Sequence, residues 1–203
     1  MTLDEIKYRL HHFLFGNKLW HEFAPYRNND PLNSTQAKKA AVAIHISLLN
    51  GEIIIILIER SAYNGKHSQQ IAFPGGKKDS TDMNLEHTAR RESTEEIGFG
   101  LKDGELIGEL TEIYIPVSGF RVTPFVFFHK EIPNTVLNER EVKSIILCKL
   151  KDIDTQTKKI FKNITINNNL ILKNIPGIEY ENHFIWGATV LILHEFNTAV
   201  KTF

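Results

Sequence analysis

Three glutamates at helical spacing, Glu92, Glu95 and Glu96, are the group in this sequence best suited to chemistry. Successive residues of an α-helix are rotated by about 100°. Glu92 and Glu96 therefore project from the same side of a helix, whereas Glu95 is turned toward solvent. Carboxylates held this close repel one another at neutral pH unless a cation lies between them. Because these hard oxygen ligands have no His or Cys among them, they favour Mg²⁺, Mn²⁺ or Ca²⁺ over zinc. The spacing predicts a magnesium site.

The helix that carries these acids is predicted to run from about Asp82 to Ile97. Small or apolar residues recur along one side of it and should pack inward; they are Leu85, Ala89, Ser93 and Ile97. The glycine pair Gly75-Gly76 precedes the helix, and a backbone without Cβ can approach a metal or a phosphate closely. A glycine turn followed by an acidic helix is the predicted framework of the site.

Strands are predicted on both sides of this helix in the sequence. The segments 40–49 and 52–59 flank Asn50-Gly51, a strong hairpin signal, and the run Ile53–Ile56 is typical of a strand buried on both faces. Other strands are expected at 71–73, 106–115, 121–129 and 138–149, with a hairpin at 163–173, a strand from 184 and a terminal helix at about 188–200. These elements predict an α/β/α sandwich on a mixed β-sheet. We expect residues 40–203 to form this domain and residues 1–39 an N-terminal helical extension, with a helix at 4–15.

At the glycine and glutamate positions the chain resembles the Nudix hydrolases. Their signature is a glycine, an acid, Arg-Glu, two spacers, Glu-Glu, one spacer and a glycine followed by an apolar residue. The matching residues are Gly76, Asp82, Arg91, Glu92, Glu95, Glu96, Gly98 and Phe99. Two details differ from the general signature, because the first acid is Asp82 instead of Glu and its distance to Arg91 is one residue longer. Both differences are typical of the branch that resembles coenzyme A diphosphatases.

A second element, upstream of the signature, resembles the same branch. Coenzyme A-type Nudix proteins carry a Leu-rich strand, Arg-Ser, a spaced Arg, a spaced Gly and then Phe-Pro-Gly-Gly. The matching residues are Leu57, Arg60, Ser61, Phe73, Pro74, Gly75 and Gly76. Gly65 stands where the spaced Arg is expected, and Gln69 stands where the spaced Gly is expected. The neighbouring Lys66 is a candidate for the missing positive charge.

The resemblance implies a hydrolase that depends on Mg²⁺ or Mn²⁺ and cleaves the diphosphate bond of coenzyme A or acyl-CoA. The products would be 3′,5′-ADP and a 4′-phosphopantetheine. The two departures at Gly65 and Gln69 keep open a second substrate class, another nucleoside diphosphate derivative such as ADP-ribose or a dinucleotide. A third alternative is a Nudix-like module that binds a nucleotide without cleaving it. The three glutamates argue against this, because a protein that only binds has no need for mutually repelling acids.

The resemblance also implies roles for individual residues. The metal ligands are three side chains and a main-chain carbonyl of the glycine pair, namely Glu92, Glu95, Glu96 and Gly75 or Gly76. The charge of Arg91 is expected to orient Glu92 by a salt bridge. The general base is open between Glu92 or Glu95 on the helix and Glu141 or Glu139 in a later loop. Candidate substrate-binding residues, of which the cations can pair with phosphate, are Arg60, Ser61, Lys66, Phe73, Gly75, Lys77 and Arg121.

Composition limits the partners of this chain. The 203 residues include 24 Lys plus Arg and 24 Asp plus Glu, so no global field favours nucleic acid or an anionic membrane. The partner that the resemblance implies is a small nucleoside diphosphate derivative. The single Cys148 excludes an internal disulfide framework and fits a reducing cytoplasm. Charged residues interrupt 1–15, which argues against a signal peptide, and no apolar run approaches the ~20 residues of a membrane helix. We expect a cytoplasmic protein, with a homodimer left open.

Overall fold

A mixed eight-stranded sheet lies at the centre of the computed structural model, which describes residues 1–24, 37–61, 70–116, 118–153, 158–166 and 170–201. Its strands are β1 (Lys38–Leu49), β2 (Glu52–Arg60), β3 (Ile71–Ala72), β4 (Gly75–Lys77), β5 (Glu105–Glu109), β6 (Ile113–Ile115), β7 (Phe120–His129) and β8 (Val142–Lys149). A second sheet contains β9 (Lys159–Ile166), β10 (Leu170–Tyr180) and β11 (His183–Trp186). The helices are α1 (Leu3–His12), α2 (Leu85–Ile97) and α3 (Gly187–Lys201), and 3₁₀ helices lie at Gly16–Glu22 and Leu150–Asp152.

The central sheet splits where its first two strands separate. β1 and β2 pair antiparallel only near their hairpin, from Leu49 opposite Glu52 to Ile46 opposite Ile55. Farther along, β4 pairs with the free edge of β1 and β3 pairs with the free edge of β2. On the outer edge of β1, β7 pairs in parallel orientation. On the outer edge of β2, β8 pairs in antiparallel orientation. The glycine pair, which lies in β4, is thus inserted at the split.

Helices cover both faces of the central sheet. Ile55 and Leu57 of β2 are buried in the large core, which also takes residues of α1 and α3. Ile56 and Ile58 are buried on the other face, together with Ile97 of α2. This alternation is expected because successive side chains of a strand point to opposite faces. The predicted α/β/α sandwich on a mixed sheet is confirmed.

Helix α2 begins and ends at residues suited to those positions. Asn84 caps its N-terminus, where the side-chain oxygen accepts a hydrogen bond from the N–H of His87 at 2.8 Å. Gly98 ends the helix in the left-handed conformation, at φ 79°. The helix therefore starts at Leu85, later than the predicted Asp82, because the cap lies between them. Asp82 belongs to the turn before the helix.

A buried polar network joins α2 to the sheet. The hydroxyl of Ser93 donates to the carbonyl of Ala89 at 2.8 Å, so its oxygen accepts from Nε2 of His45 at 2.9 Å. Nδ1 of His45 then accepts from Nε2 of His129, also at 2.9 Å. Burial lowers the pKa of His45 well below its ordinary value and lowers the pKa of His129 to about 4, so both rings are neutral at pH 7. The network holds the inward side of α2 against β1, which fixes the direction in which the neighbouring acids point.

Two predicted strands are shorter in the structure. The strand expected at 106–115 is broken into β5 and β6 opposite Pro124 of β7. The carbonyl of Pro124 accepts from the N–H of Leu110 at 2.9 Å, but proline has no N–H to return a hydrogen bond. The N–H of Thr111 donates instead to Glu195 of α3 at 3.2 Å. The strand expected from residue 138 begins at Val142, after a turn, and the predicted hairpin tip at 167–169 lies outside the described residues.

The N-terminal residues 1–24 pack on the sheet face that α3 covers. Ile6 and Leu10 of α1 and Phe23 are buried in the large core, and Glu195 of α3 accepts from the N–H of Gly16 at 3.0 Å. In the described part of the chain, we find no helix both long enough and apolar enough to cross a membrane. The division into an extension at 1–39 and a domain at 40–203 stays a prediction.

Candidate active site

The glycine pair and α2 meet at the split in the sheet. A Cβ added to Gly76 would lie 2.5 Å from the carboxylate of Glu92, so any other residue here would displace that carboxylate. Gly75 has a φ of 155°, and its N–H donates to Oε2 of Glu96 at 2.9 Å. Two of the three predicted glutamates therefore lie directly against the glycine pair.

Arg91 connects the glutamates of α2 to the turn before the helix. Its Nε and Nη2 donate to the two carboxylate oxygens of Asp82 at 2.9 and 3.1 Å. Its Nη1 lies 2.9 Å from both Glu92 and Glu95, and its Nη2 also donates to the carbonyl of Lys77 at 3.0 Å. The predicted salt bridge to Glu92 is present, as one part of a larger set of contacts.

Asp82 is the buried partner that fixes this arginine. Besides the two bonds from Arg91, its carboxylate accepts from the N–H of Asp79 at 2.8 Å, the hydroxyl of Thr88 at 2.9 Å and Nδ1 of His87 at 3.0 Å. The bonds from Arg91, followed by those from the other donors, hold the pKa of Asp82 well below its ordinary value although burial opposes them. Asp82 is therefore an anion at neutral pH, and it anchors the Arg91 side chain that contacts Glu92 and Glu95.

Glu96 of α2 is fully buried and contacts Arg60 and Gly75 of the upstream element. Its Oε1 accepts from Nη1 of Arg60 at 3.1 Å, and its Oε2 accepts from the N–H of Gly75. Burial raises the pKa of Glu96 to about 7, with further increases from the charges of Glu92 and Glu141, while Arg60 and Gly75 act in the opposite direction. This carboxyl group therefore gains and loses its proton near neutral pH.

Another carboxylate, that of Glu141 in the loop before β8, acts electrostatically on the cluster. Its charge raises the pKa of both Glu92 and Glu96. For Glu92 the largest cause of the raised pKa is burial, and Arg91 opposes it. The structure thus brings together carboxylates from two segments that are far apart in the sequence, and their mutual repulsion costs stability unless a cation is added.

The predicted cationic residues occupy different positions around this cluster. Arg60 is part of it, through its ion pair with Glu96. Lys77 follows the glycine pair in β4 and is exposed. Arg121 lies on β7, where its Nη1 is 3.2 Å from Glu112. Its substrate contact, like that of Lys77, stays a prediction.

Two other predicted contact residues are not turned toward the acids. Phe73 is 2% exposed and packs in the large core, so its ring is not among the groups that the structure brings to the cluster. The hydroxyl of Ser61 donates to the carbonyl of Glu139 at 2.9 Å. Lys66 lies outside the described residues, and its role stays a prediction.

One residue at the site was not singled out from the sequence. The side-chain amide of Asn138 donates to Oε1 of Glu141 at 3.3 Å, and its N–H donates to the carbonyl of Glu96 at 3.1 Å. The only local signal is the asparagine itself, whose side chain often forms a turn by accepting from the N–H two residues on, as it does here from Arg140 at 3.3 Å. That signal predicts a turn at Asn138. It does not predict the contact of Asn138 with the end of α2.

Comparison with known proteins gives the family. The model of the NUDIX domain matches residues 37–166, which is most of the chain. The chain belongs to the Nudix hydrolase family. A protein of Pectobacterium atrosepticum named uncharacterized Nudix hydrolase NudL is 31% identical over 160 residues, with 79% of this chain and 81% of that protein covered. A NudL of Yersinia enterocolitica is 32% identical over 174 residues, with 83% and 84% covered.

A solved structure supports the same fold for this Nudix hydrolase. The MutT/nudix family protein from Enterococcus faecalis matches with a TM-score of 0.54 at 13% identity, with 98% of this chain and 74% of that chain covered. At this identity the match concerns the fold alone. The enzyme class rests instead on the family model and the NudL relatives, which show that the chain is a Nudix pyrophosphohydrolase.

Nudix enzymes generally use divalent cations, and the donor chemistry of this site fits one. The carboxylates of the partly buried Glu92 and the buried Glu96 are hard oxygen ligands. Burial is the main cause of their raised pKa values, and the charge of Glu141 adds to it. Across the described ranges, however, no three Asp, Glu, His or Cys side chains stand together as a ready ligand set. Arg91 and Arg60 hold the carboxylates instead. A carboxylate has about four lone-pair sites, so we expect a cation to share Glu92 and Glu96 with their arginine partners.

The room that Gly76 leaves for Glu92 gives a testable prediction. Replacing Gly76 by Ala should lower kcat/KM of this Nudix hydrolase by about 100-fold, because displacing a group at the reacting centre by about 1 Å can cost that much. The fold should persist, since Gly76 does not have a positive φ. Steady-state kinetics and circular dichroism test this. Gly100→Ala is the matched control, as its Cβ would meet only the flexible Asp103 side chain, at 3.2 Å; equal losses in both variants would contradict the prediction.

Proposed function

We propose that this protein is a Mg²⁺- or Mn²⁺-dependent Nudix hydrolase that cleaves the diphosphate bond of coenzyme A or acyl-CoA. The observation that supports it is the position of Glu96. Its carboxylate is bonded to Arg60 and to Gly75, both of the upstream element that resembles the coenzyme A-type branch. Residues of the upstream element therefore bind a carboxylate of the general signature. This contact is expected if both elements serve the same reaction.

The chemistry of the site fits attack by water on a diphosphate. A diphosphate repels nucleophiles because its oxygens are negatively charged, and a bound divalent cation supplies the screening charge and lowers the pKa of water. Glu92, Glu95 and Glu96 are the side chains proposed to hold the cation, with a main-chain carbonyl of Gly76. Arg91, held by Asp82, fixes the orientation of Glu92 and Glu95.

The protein must also remove a proton from the attacking water. We propose Glu141 for this step, because its charge acts on Glu92 and Glu96 and it takes no part in their ion pairs with Arg91 and Arg60. Glu92 and Glu95 are both engaged by Arg91. The water oxygen forms a bond to one phosphorus, the bridging P–O bond breaks, and the leaving phosphate takes the electron pair. The products are 3′,5′-ADP and a 4′-phosphopantetheine or its acyl derivative.

Substrate contacts are proposed for the cations around the cluster. Lys77 is exposed next to the glycine pair, and Arg121 lies on the strand beyond β1. Lys66 is proposed to contact phosphate from the segment between β2 and β3. Gly65 and Gln69, which replace the spaced Arg and Gly of the coenzyme A element, favour a second candidate substrate class, another nucleoside diphosphate derivative such as ADP-ribose or a dinucleotide.

Product analysis by mass spectrometry tests the proposal. The purified protein is given coenzyme A, ADP-ribose and a dinucleotide together with Mg²⁺, and a parallel sample contains a chelator instead. Selective formation of 3′,5′-ADP that stops with the chelator is the expected result. Preferential cleavage of ADP-ribose or the dinucleotide would contradict the coenzyme A assignment and establish the second class. Turnover that persists without a divalent cation would contradict the proposed mechanism.

A further inference from the structure

The loop that carries Glu141 is attached to the C-terminus of α2. The last carbonyls of a helix have no partner within the helix. Here the N–H of Val136 donates to the carbonyl of Ile97 at 2.9 Å, and the N–H of Asn138 donates to the carbonyl of Glu96 at 3.1 Å. Glu96 therefore has two roles. Its side chain lies in the acid cluster, and its main-chain carbonyl binds the loop that carries Glu141.

Ser61 at the end of β2 attaches the same loop from the other side. Its N–H donates to the carbonyl of Glu141 at 2.8 Å, and its hydroxyl donates to the carbonyl of Glu139 at 2.9 Å. The side chain of Glu141 is held in turn by Asn138, whose amide donates to Oε1 at 3.3 Å. Both hydrogen-bonding groups of Ser61 that can donate are thus directed at the loop.

We propose that Ser61 and Asn138 are positioning residues that fix the loop of Glu141 at the C-terminal end of α2, and that Ser61 acts through this loop instead of binding substrate. The inference rests on the proposed function, in which Glu141 takes the proton from water. A general base must lie within hydrogen-bond reach of that proton. Glu141 is an exposed loop residue, so its position depends on the bonds that hold the loop.

A double-mutant cycle on kcat tests the proposal, with whichever diphosphate the wild-type protein cleaves. Ser61→Ala should lower kcat by about fivefold or more and leave KM unchanged within about twofold, since one hydrogen bond that positions the base is lost. In a Glu141→Gln background the same change should alter kcat by less than about twofold, because the group it positions is gone. Asn138→Ala should behave in the same way, and Ser61→Thr, which keeps a hydroxyl, should restore kcat.

Ser144→Ala is the matched control for the loss of a serine hydroxyl. Ser144 pairs with Glu59, the strand residue two before Ser61, and donates to its side chain at 3.0 Å. No change in kcat is expected there. A rise in KM with kcat unchanged in Ser61→Ala would assign Ser61 to substrate binding and overturn the proposal. The proposal would also be overturned if the loss of kcat in the double variant equalled the product of the losses in Ser61→Ala and Glu141→Gln, because the two residues would then act independently.

Amide hydrogen exchange gives a readout that does not depend on turnover. The N–H groups of Glu141 and Val142 both donate to the carbonyl of Asn138, at 2.9 and 2.8 Å. Ser61→Ala should speed their exchange, while Ser144→Ala should leave it unchanged. If exchange were unchanged in Ser61→Ala, the proposed attachment of the loop would be overturned, whether or not the protein has activity. If the protein cleaved none of the diphosphates, that result would count against the proposed function alone.

Discussion

Replacing Arg91 by alanine is expected to lower the free energy of unfolding by about 3–5 kcal/mol, the usual cost of removing one member of a buried ion pair. The carboxylate of Asp82 is fully buried, and Arg91 donates to both of its oxygens. Without the guanidinium, Asp82 is left as a buried anion. The N–H of Asp79 and the hydroxyl of Thr88 would still donate to it, but neither carries a compensating charge.

Urea denaturation of Arg91→Ala at several pH values measures this effect. Asp82 has a pKa lowered from 3.8 in the folded state, so its stabilising contribution is complete above pH 3.8 and is lost as the pH falls further. The difference between wild type and variant should therefore shrink in strong acid. Lys7→Ala, which removes the cation of the exposed pair Lys7–Glu105, should cost less than about 1 kcal/mol. A similar cost for both variants would show that Asp82 does not depend on Arg91.

Replacing Glu96 by glutamine is expected to reduce kcat by about 100-fold or more, the size of effect found when one electrostatic contact of a catalytic site is removed. Glutamine has nearly the same shape as glutamate and keeps an oxygen that can accept from the N–H of Gly75. It removes the negative charge that we propose for cation binding and that pairs with Arg60. The fold should be retained, because burial already disfavours the charge of Glu96 and raises its pKa to about 7.

Steady-state kinetics and thermal unfolding at pH 7 separate the expected loss of activity from any loss of stability. The activity of Glu96→Gln should be lost while its unfolding temperature stays close to that of the wild type. Glu86→Gln is a control on the same helix, because Glu86 pairs with Arg90 one helical turn away, outside the acid cluster, and its kcat should stay within about twofold of wild type. Full activity of Glu96→Gln would remove Glu96 from the proposed cation site.

Local spacing along the chain was enough to predict several features of the fold. The positions of β1, β2 and α2 follow from the hairpin signal, from the apolar runs and from the inward residues of the helix, all of which act within a few positions. The same local geometry predicted that Glu92 and Glu96 lie on one side of α2, next to the buried Ser93. The break between β5 and β6 was missed because its cause, Pro124, lies on a neighbouring strand.

The tertiary structure decided which distant residues meet the acids. Glu96 contacts Arg60 and Gly75, and Glu141 lies near it, only because β1 and β2 separate and the loop before β8 bonds to the end of α2. Phe73 belongs to the same sequence element as these contacts but is buried in the core. Sequence periodicity describes rotation along one element, whereas these contacts depend on how separate elements pair and pack. For that reason the spacing identified the acids, and only the fold identified the residues that hold them.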